Sequence, residues 1–148
     1  MDTHHANNYN RNRLRLHLVF GGFLTGLASG MISVMYRFTL GKLDDLRNLL
    51  YVNINPMRIL LMLVLFFAMA VAMHLLLNWS PLSGGSGIPQ IRGELLGKAD
   101  IAPVPTLISK FFGGAMAAFS GLTLGREGPS IQLGGTLAKI LGNIFHAP

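Results

Sequence analysis

One carboxylate and one guanidinium interrupt an otherwise uncharged run in residues 124–132, Leu-Gly-Arg-Glu-Gly-Pro-Ser-Ile-Gln. Residues 111–125 carry no charge, and neither do residues 128–138. Proline suits the first turn of a helix, where its missing N–H would have had no partner anyway. Pro129 is therefore expected to open a helix, with Glu127 and Gly128 just outside it. Glu127 then lies at the positive end of a helix dipole, among backbone N–H groups that point outward unpaired. Such a place binds anions. It also holds an acid that is itself an anion or not, depending on one proton. The rival reading makes Glu127 a simple helix cap, although Asp, Asn and Ser are the preferred caps.

A second stretch has related chemistry. Residues 80–93 read Ser-Pro-Leu-Ser-Gly-Gly-Ser-Gly-Ile-Pro-Gln-Ile-Arg-Gly. Glycines 84, 85 and 87 allow sharp turns and leave backbone N–H groups accessible. Pro89 again suits a first helical turn, with Ser86 as its cap or as a ligand hydroxyl. The helix that follows, residues 88–96, is too short to cross a bilayer. A phosphate loop is excluded, because the Gly-Lys-Ser/Thr ending is missing.

The elements that must position these turns are membrane helices. Hydrophobic residues make up 51% of the 148, charged residues only 12%, and the mean hydropathy is +0.47. Residues 18–36 form one uncharged apolar run, and residues 59–77 form a second, in which His74 alone is ionisable. Each approaches the roughly 20 residues that span a hydrocarbon core. A third segment covers residues 105–122, and a fourth runs from the Glu127 turn to about Phe145. Gly22, Gly26 and Gly30 in the first, and Gly113, Gly114, Ala117 and Gly121 in the third, are expected to let helices pack closely. His74, beside Asn78 and Trp79, reads as an interfacial anchor.

Residues 1–13 read as a polar, disordered cytoplasmic tail, and residues 42–55 as a polar connector closed by Pro56. Arg11, Arg13 and Arg15 ahead of the first span favour a cytoplasmic N-terminus, although Arg37, Lys42, Arg47 and Arg58 weaken that asymmetry. The first apolar run is longer than a signal-peptide core. The net charge of +6 sits mostly at the membrane flanks, without the clustered basic and aromatic residues of a nucleic-acid surface. Zero cysteines exclude disulfides and thiolate metal sites, and the adjacent His4 and His5 do not make a closed ligand set. No metal and no cofactor is expected.

Two short Gly/Pro-interrupted segments whose N-termini lie at membrane depth point to a midplane binding site. Irregular backbone is tolerable there only if buried or lining an aqueous cavity. Two positive helix ends aimed at one cavity favour an anion.

At these turns the chain resembles a known family. Gly85-Ser86-Gly87-Ile88-Pro89 and Gly125-Arg126-Glu127-Gly128-Pro129 resemble the first two signature motifs of the CLC family of chloride channels and proton/chloride exchangers. Lys110-Phe111-Phe112-Gly113-Gly114 and Ile131-Gln132-Leu133-Gly134-Gly135 resemble its bacterial members. The resemblance is dense over residues 83–135. It implies an all-α, multi-pass membrane protein, the N-terminal part of an inverted-repeat fold with half-spanning helices, over residues 14–148. It further implies anion binding by Ser86, Gly87, Ile88, Arg126, Glu127 and Gly128, with the Ser86 hydroxyl at a central site. Glu127 would gate an external site and accept the proton.

The implied activity is chloride transport, as proton-coupled antiport in the full-length protein. Its partners would be chloride, protons, the lipid bilayer of the plasma (inner) membrane and, when full-length, a second copy. Family members are longer than this chain. Their central tyrosine, intracellular proton-transfer glutamate, third motif and dimer-forming helices have no counterpart in it, which marks it as a fragment or truncated product. Arg92 stands where some bacterial members carry an acid. Three readings remain open beside the antiporter: a passive voltage-gated-type channel, a non-transporting packing or adaptor protein, and an intramembrane enzyme. For the last, Glu127 lacks an evident catalytic partner in its own apolar stretch.

Overall fold

The computed structural model describes residues 3–52, 55–122, 125 and 127–144, with side chains from residue 19 onward. Five helices follow in order: α1 (Thr3–Tyr51), α2 (Pro56–Trp79), α3 (Ile88–Leu95), α4 (Pro103–Phe119) and α5 (Glu127–Ile144), with a 3₁₀ turn at Pro81–Ser83 between α2 and α3. There is no strand among the described residues. The architecture is all-α, as the apolar runs require of a chain that must satisfy its backbone internally in lipid.

Among the described residues two helices are long and apolar enough to cross a membrane, Val19–Tyr51 within α1 and Pro56–Trp79. At 1.5 Å per residue, α2 reaches about 36 Å, against a core of about 30 Å. None of its residues is fully buried; Met62, Phe66, Met69, Met73 and Leu76 form a half-buried stripe, and most of its other apolar side chains are exposed. α3, at eight residues, reaches only about 12 Å, too short to cross such a core.

The core forms where α1, α4 and α5 meet. Tyr36 and Leu40 of α1 pack with Leu133 of α5, and Ile32, Leu107, Phe111 and Ala118 surround them. The Tyr36 and Phe111 rings meet edge to face at 5.5 Å, a favoured aromatic geometry. Gly114 is required here, because a methyl group on it would run into the Tyr36 hydroxyl. Ser29 Oγ donates to the Gly134 carbonyl at 3.1 Å and ties α1 to α5.

Several elements differ from the sequence expectation. Residues 42–51 are not a loop: α1 continues through them to Tyr51. Arg47 explains part of this, pairing with Asp44 at 3.2 Å and donating to the Ala118 carbonyl at 3.0 Å. It thus places a cation at the negative end of α4, and charges that read as a connector act as an anchor. The polar N-terminus is likewise helical from Thr3 rather than disordered. The glycine ridge of α1 does not pack as expected, since a methyl group at Gly22, Gly26 or Gly30 would touch nothing in the described chain. α4 starts two residues earlier than expected, with Pro103 in its first turn. His74 is exposed near the end of α2 and bonds to Asn78 at 3.1 Å.

The far end of α3 is clasped to α5. Lys139 Nζ donates to Glu94, to Asp100 at 2.8 Å and to the Ile101 carbonyl at 2.8 Å. Glu94 also accepts the Ile101 N–H at 2.6 Å, which closes the turn between α3 and α4. The hydrogen bond and the charge of Lys139 hold the Asp100 carboxyl below the usual carboxylate range. That part of the clasp is complete above the ordinary Asp range near pH 4 and is lost as pH falls through the lower folded value. Lys139→Met should speed hydrogen exchange at the Ile101 amide, by a modest amount because solvent screens the pair. Unchanged exchange there would reduce the clasp to a surface contact.

Candidate functional site

Gly87 is the N-cap of α3, with φ +90° and ψ −25°. L-residues with a side chain rarely adopt this left-handed conformation, whereas glycine does so at no steric cost. The cap position, one of the two roles open to Ser86, is thus taken by Gly87, and Ser86 is exposed. Pro89 stands in the first turn of α3, as expected.

α5 begins at Glu127, two residues ahead of the expected start at Pro129. Glu127 is therefore inside the first turn, not just outside it, and remains beside the free N–H groups of that helix end. Its side chain is exposed, while Gly128 and Pro129 are buried. Arg126, the remaining residue expected to bind anions, lies outside the described residues.

The two turns pack against each other through their glycines. A methyl group on Gly128 would overlap the Ser86 carbonyl, and one on Gly87 would come within 2.6 Å of Gln132 Cβ and 3.0 Å of the Gly128 carbonyl. α3 and α5 thus start from one point, although their first turns are about 40 residues apart in sequence. In front of that point lies a cavity of about 630 Å³, lined on one side by Ser86 and Ile88 and on the other by Glu127 and Gly128. Gly87 is not part of the lining; it is buried behind it, against Gln132. Apolar residues of α2 and the small residues Gly113, Gly114 and Ala117 of α4 form much of the remaining wall.

Sequence reasoning missed the residues that hold this arrangement from behind. Lys110, midway along α4, is 6% exposed and donates to the carbonyls of Ser83 and Gly85 at 3.0 and 2.6 Å. Among the described residues no carboxylate lies within ion-pair distance of it. Gln132 is completely buried and donates to the Leu82 carbonyl at 2.7 Å. Gln90 donates to the Gly84 carbonyl at 2.8 Å. The available signal was composition: each is a long polar side chain placed beside an apolar run. Chemically, the cavity combines one carboxylate, one buried ammonium, a free hydroxyl and two helix starts. Among the described residues no cluster of His, Cys, Asp and Glu could hold a metal ion.

The family model for the voltage gated chloride channel matches residues 68–147, just over half of the chain, and covers both turns. The chain belongs to the voltage-gated chloride channel (CLC) family. Among curated proteins it is similar to the H(+)/Cl(-) exchange transporter ClcA of Cronobacter sakazakii, at 32% identity over 93% of this chain. It is also similar to the ClcA transporters of Vibrio cholerae serotype O1 and Salmonella paratyphi A, at 29% and 31% identity over 91% of the chain. The chain spans about 30% of the length of these relatives. Within the CLC family, the paired glycine-rich turns described above are where this chain brings its charged and polar groups together.

Proposed function

We propose that the protein carrying this chain transports chloride across a membrane in exchange for protons, with the cavity between the α3 and α5 turns as part of its anion path. One observation carries the reading: Ser86 and Glu127 line the same cavity, at the N-terminal ends of two helices that meet back to back. The positive ends of helices favour a bound anion. The Ser86 hydroxyl donates to chloride, backbone N–H groups near Gly128 assist, and the Glu127 carboxylate competes for the same space until it takes a proton. This is transport rather than bond-making chemistry. The named relatives, all exchange transporters, support antiport.

The protein on this reading is a multi-pass protein of the plasma (inner) membrane with its N-terminus in the cytoplasm. Residues 14–148 contribute the first part of its membrane domain, and a second copy of the full-length protein is its partner.

Purified full-length protein in liposomes tests this directly. Chloride efflux accompanied by proton uptake is expected. Chloride efflux without proton movement would establish the passive channel instead, a reading that the family's description favours. No chloride flux at all would leave only a packing role. Among halides, chloride should pass faster than fluoride, because the small hydroxyl of Ser86 suits a large, weakly hydrated ion. Equal chloride and fluoride rates would count against Ser86 as the ligand.

A further inference from the structure

Four consecutive backbone carbonyls in the loop leading into α3 are each held by a side-chain donor. Gln132 of α5 takes Leu82 at 2.7 Å, and Lys110 of α4 takes both Ser83 at 3.0 Å and Gly85 at 2.6 Å. Gln90 of α3 takes Gly84 at 2.8 Å. Buried carbonyls need partners; here Gln90 and Gln132 supply them from outside the cavity lining, while Lys110, 6% exposed, belongs to that lining.

The loop needs such restraint. Gly85 and Gly87 sit at φ +72° and +90°, and glycine peptides reorient at little steric cost. A reoriented peptide here would aim its carbonyl oxygen at the cavity beside Ser86. Carbonyl oxygens are ligands for cations and repel an anion.

The two glutamines carry a further sign. Gln90 and Gln132 each use the NH₂ end of the amide, while each Oε1 is buried with no hydrogen-bond partner among the described residues. An unpaired buried acceptor is costly. An amide serving only as packing would be replaced without loss by an apolar side chain of similar shape. Here the donor end alone is used, and always on a loop carbonyl.

We infer that Lys110, Gln90 and Gln132 are specificity-determining positioning residues, which occupy the carbonyls of residues 82–85 with side-chain donors so that the loop has no free carbonyl to offer an ion. The inference rests on the reading of the cavity as a chloride site. Its rival is an action of the Lys110 charge alone, through space. The glutamines separate the two, because they are neutral.

Gln132→Met and Gln90→Met keep side-chain length and remove the donor; Lys110→Met removes two donors and the charge. Each is made in the full-length protein, and chloride affinity is measured by calorimetry alongside radiolabelled sodium uptake into liposomes. Both glutamine variants should bind chloride about three- to tenfold more weakly, the worth of one hydrogen bond, with measurable sodium uptake. Lys110→Met should lose more on both counts. Wild-type chloride affinity and sodium exclusion in both glutamine variants, with loss confined to Lys110→Met, would overturn the inference in favour of charge. A lowered melting temperature with unchanged affinity and exclusion would overturn it in favour of a structural role. Should one glutamine variant fail to fold, the other reads the same quantity at a different carbonyl. A wild-type protein that binds no chloride would instead sink the transport reading itself.

Discussion

Glu127→Gln in the full-length protein should leave chloride moving while proton transport driven by a chloride gradient disappears. The amide keeps the size and hydrogen-bonding shape of the carboxyl group and removes only its titration. Glu127 stands in the first turn of α5 and lines the same cavity as Ser86, so its carboxylate and a chloride ion would compete for one place. The exposure of the side chain toward the cavity allows it to swing without unpacking α5. Proton flux should fall by about a hundredfold or more, the range over which a positioned proton acceptor acts. Proton pumping at the wild-type rate in Glu127→Gln would show that the residue is only a helix cap.

The parts of this site that were legible in the sequence are local ones. A glycine, a proline one or two residues on and an apolar run after it describe a turn and a helix start without knowledge of the rest of the chain. Both starts were therefore readable from residues 85–89 and 125–129, to within two residues for α5. The family model, over residues 68–147, covers both of them.

What was not legible depends on distance. Lys110 was passed over because its acceptors, Ser83 and Gly85, are about 25 residues away and are backbone atoms, which leave no trace in a side-chain pattern. Arg47 looked like part of a connector for the same reason, since its acceptor is the carbonyl of Ala118. Ser86 was open to two roles, cap or ligand hydroxyl. Serine is a good cap by propensity, but the left-handed turn at Gly87 takes the cap position one residue on. The ligand role is the one on which the transport reading depends.

The second large effect is expected from a single methyl group. Gly128→Ala should prevent the two turns from meeting, because the new Cβ would overlap the backbone carbonyl of Ser86, which cannot rotate away as a flexible side chain would. Gly87→Ala faces two obstacles: φ is +90°, and the new methyl would press on Gln132 Cβ and the Gly128 carbonyl. Left-handed backbone costs a residue other than glycine about 1–2 kcal/mol, and overpacking adds about 1–3 kcal/mol. Gly87→Ala should therefore destabilise by about 2–5 kcal/mol, and Gly128→Ala by at least as much as the upper part of the overpacking range. Gly134→Ala, on the same helix, provides the contrast. Its methyl would meet Ser29 at 3.5 Å, an ordinary contact, so a change within about 1 kcal/mol is expected, partly offset by better helix propensity. Thermal unfolding in detergent, read with chloride binding, orders the three variants. If Gly128→Ala melted like wild type and bound chloride equally well, the back-to-back contact of the two turns would not be what brings Ser86 and Glu127 to one cavity.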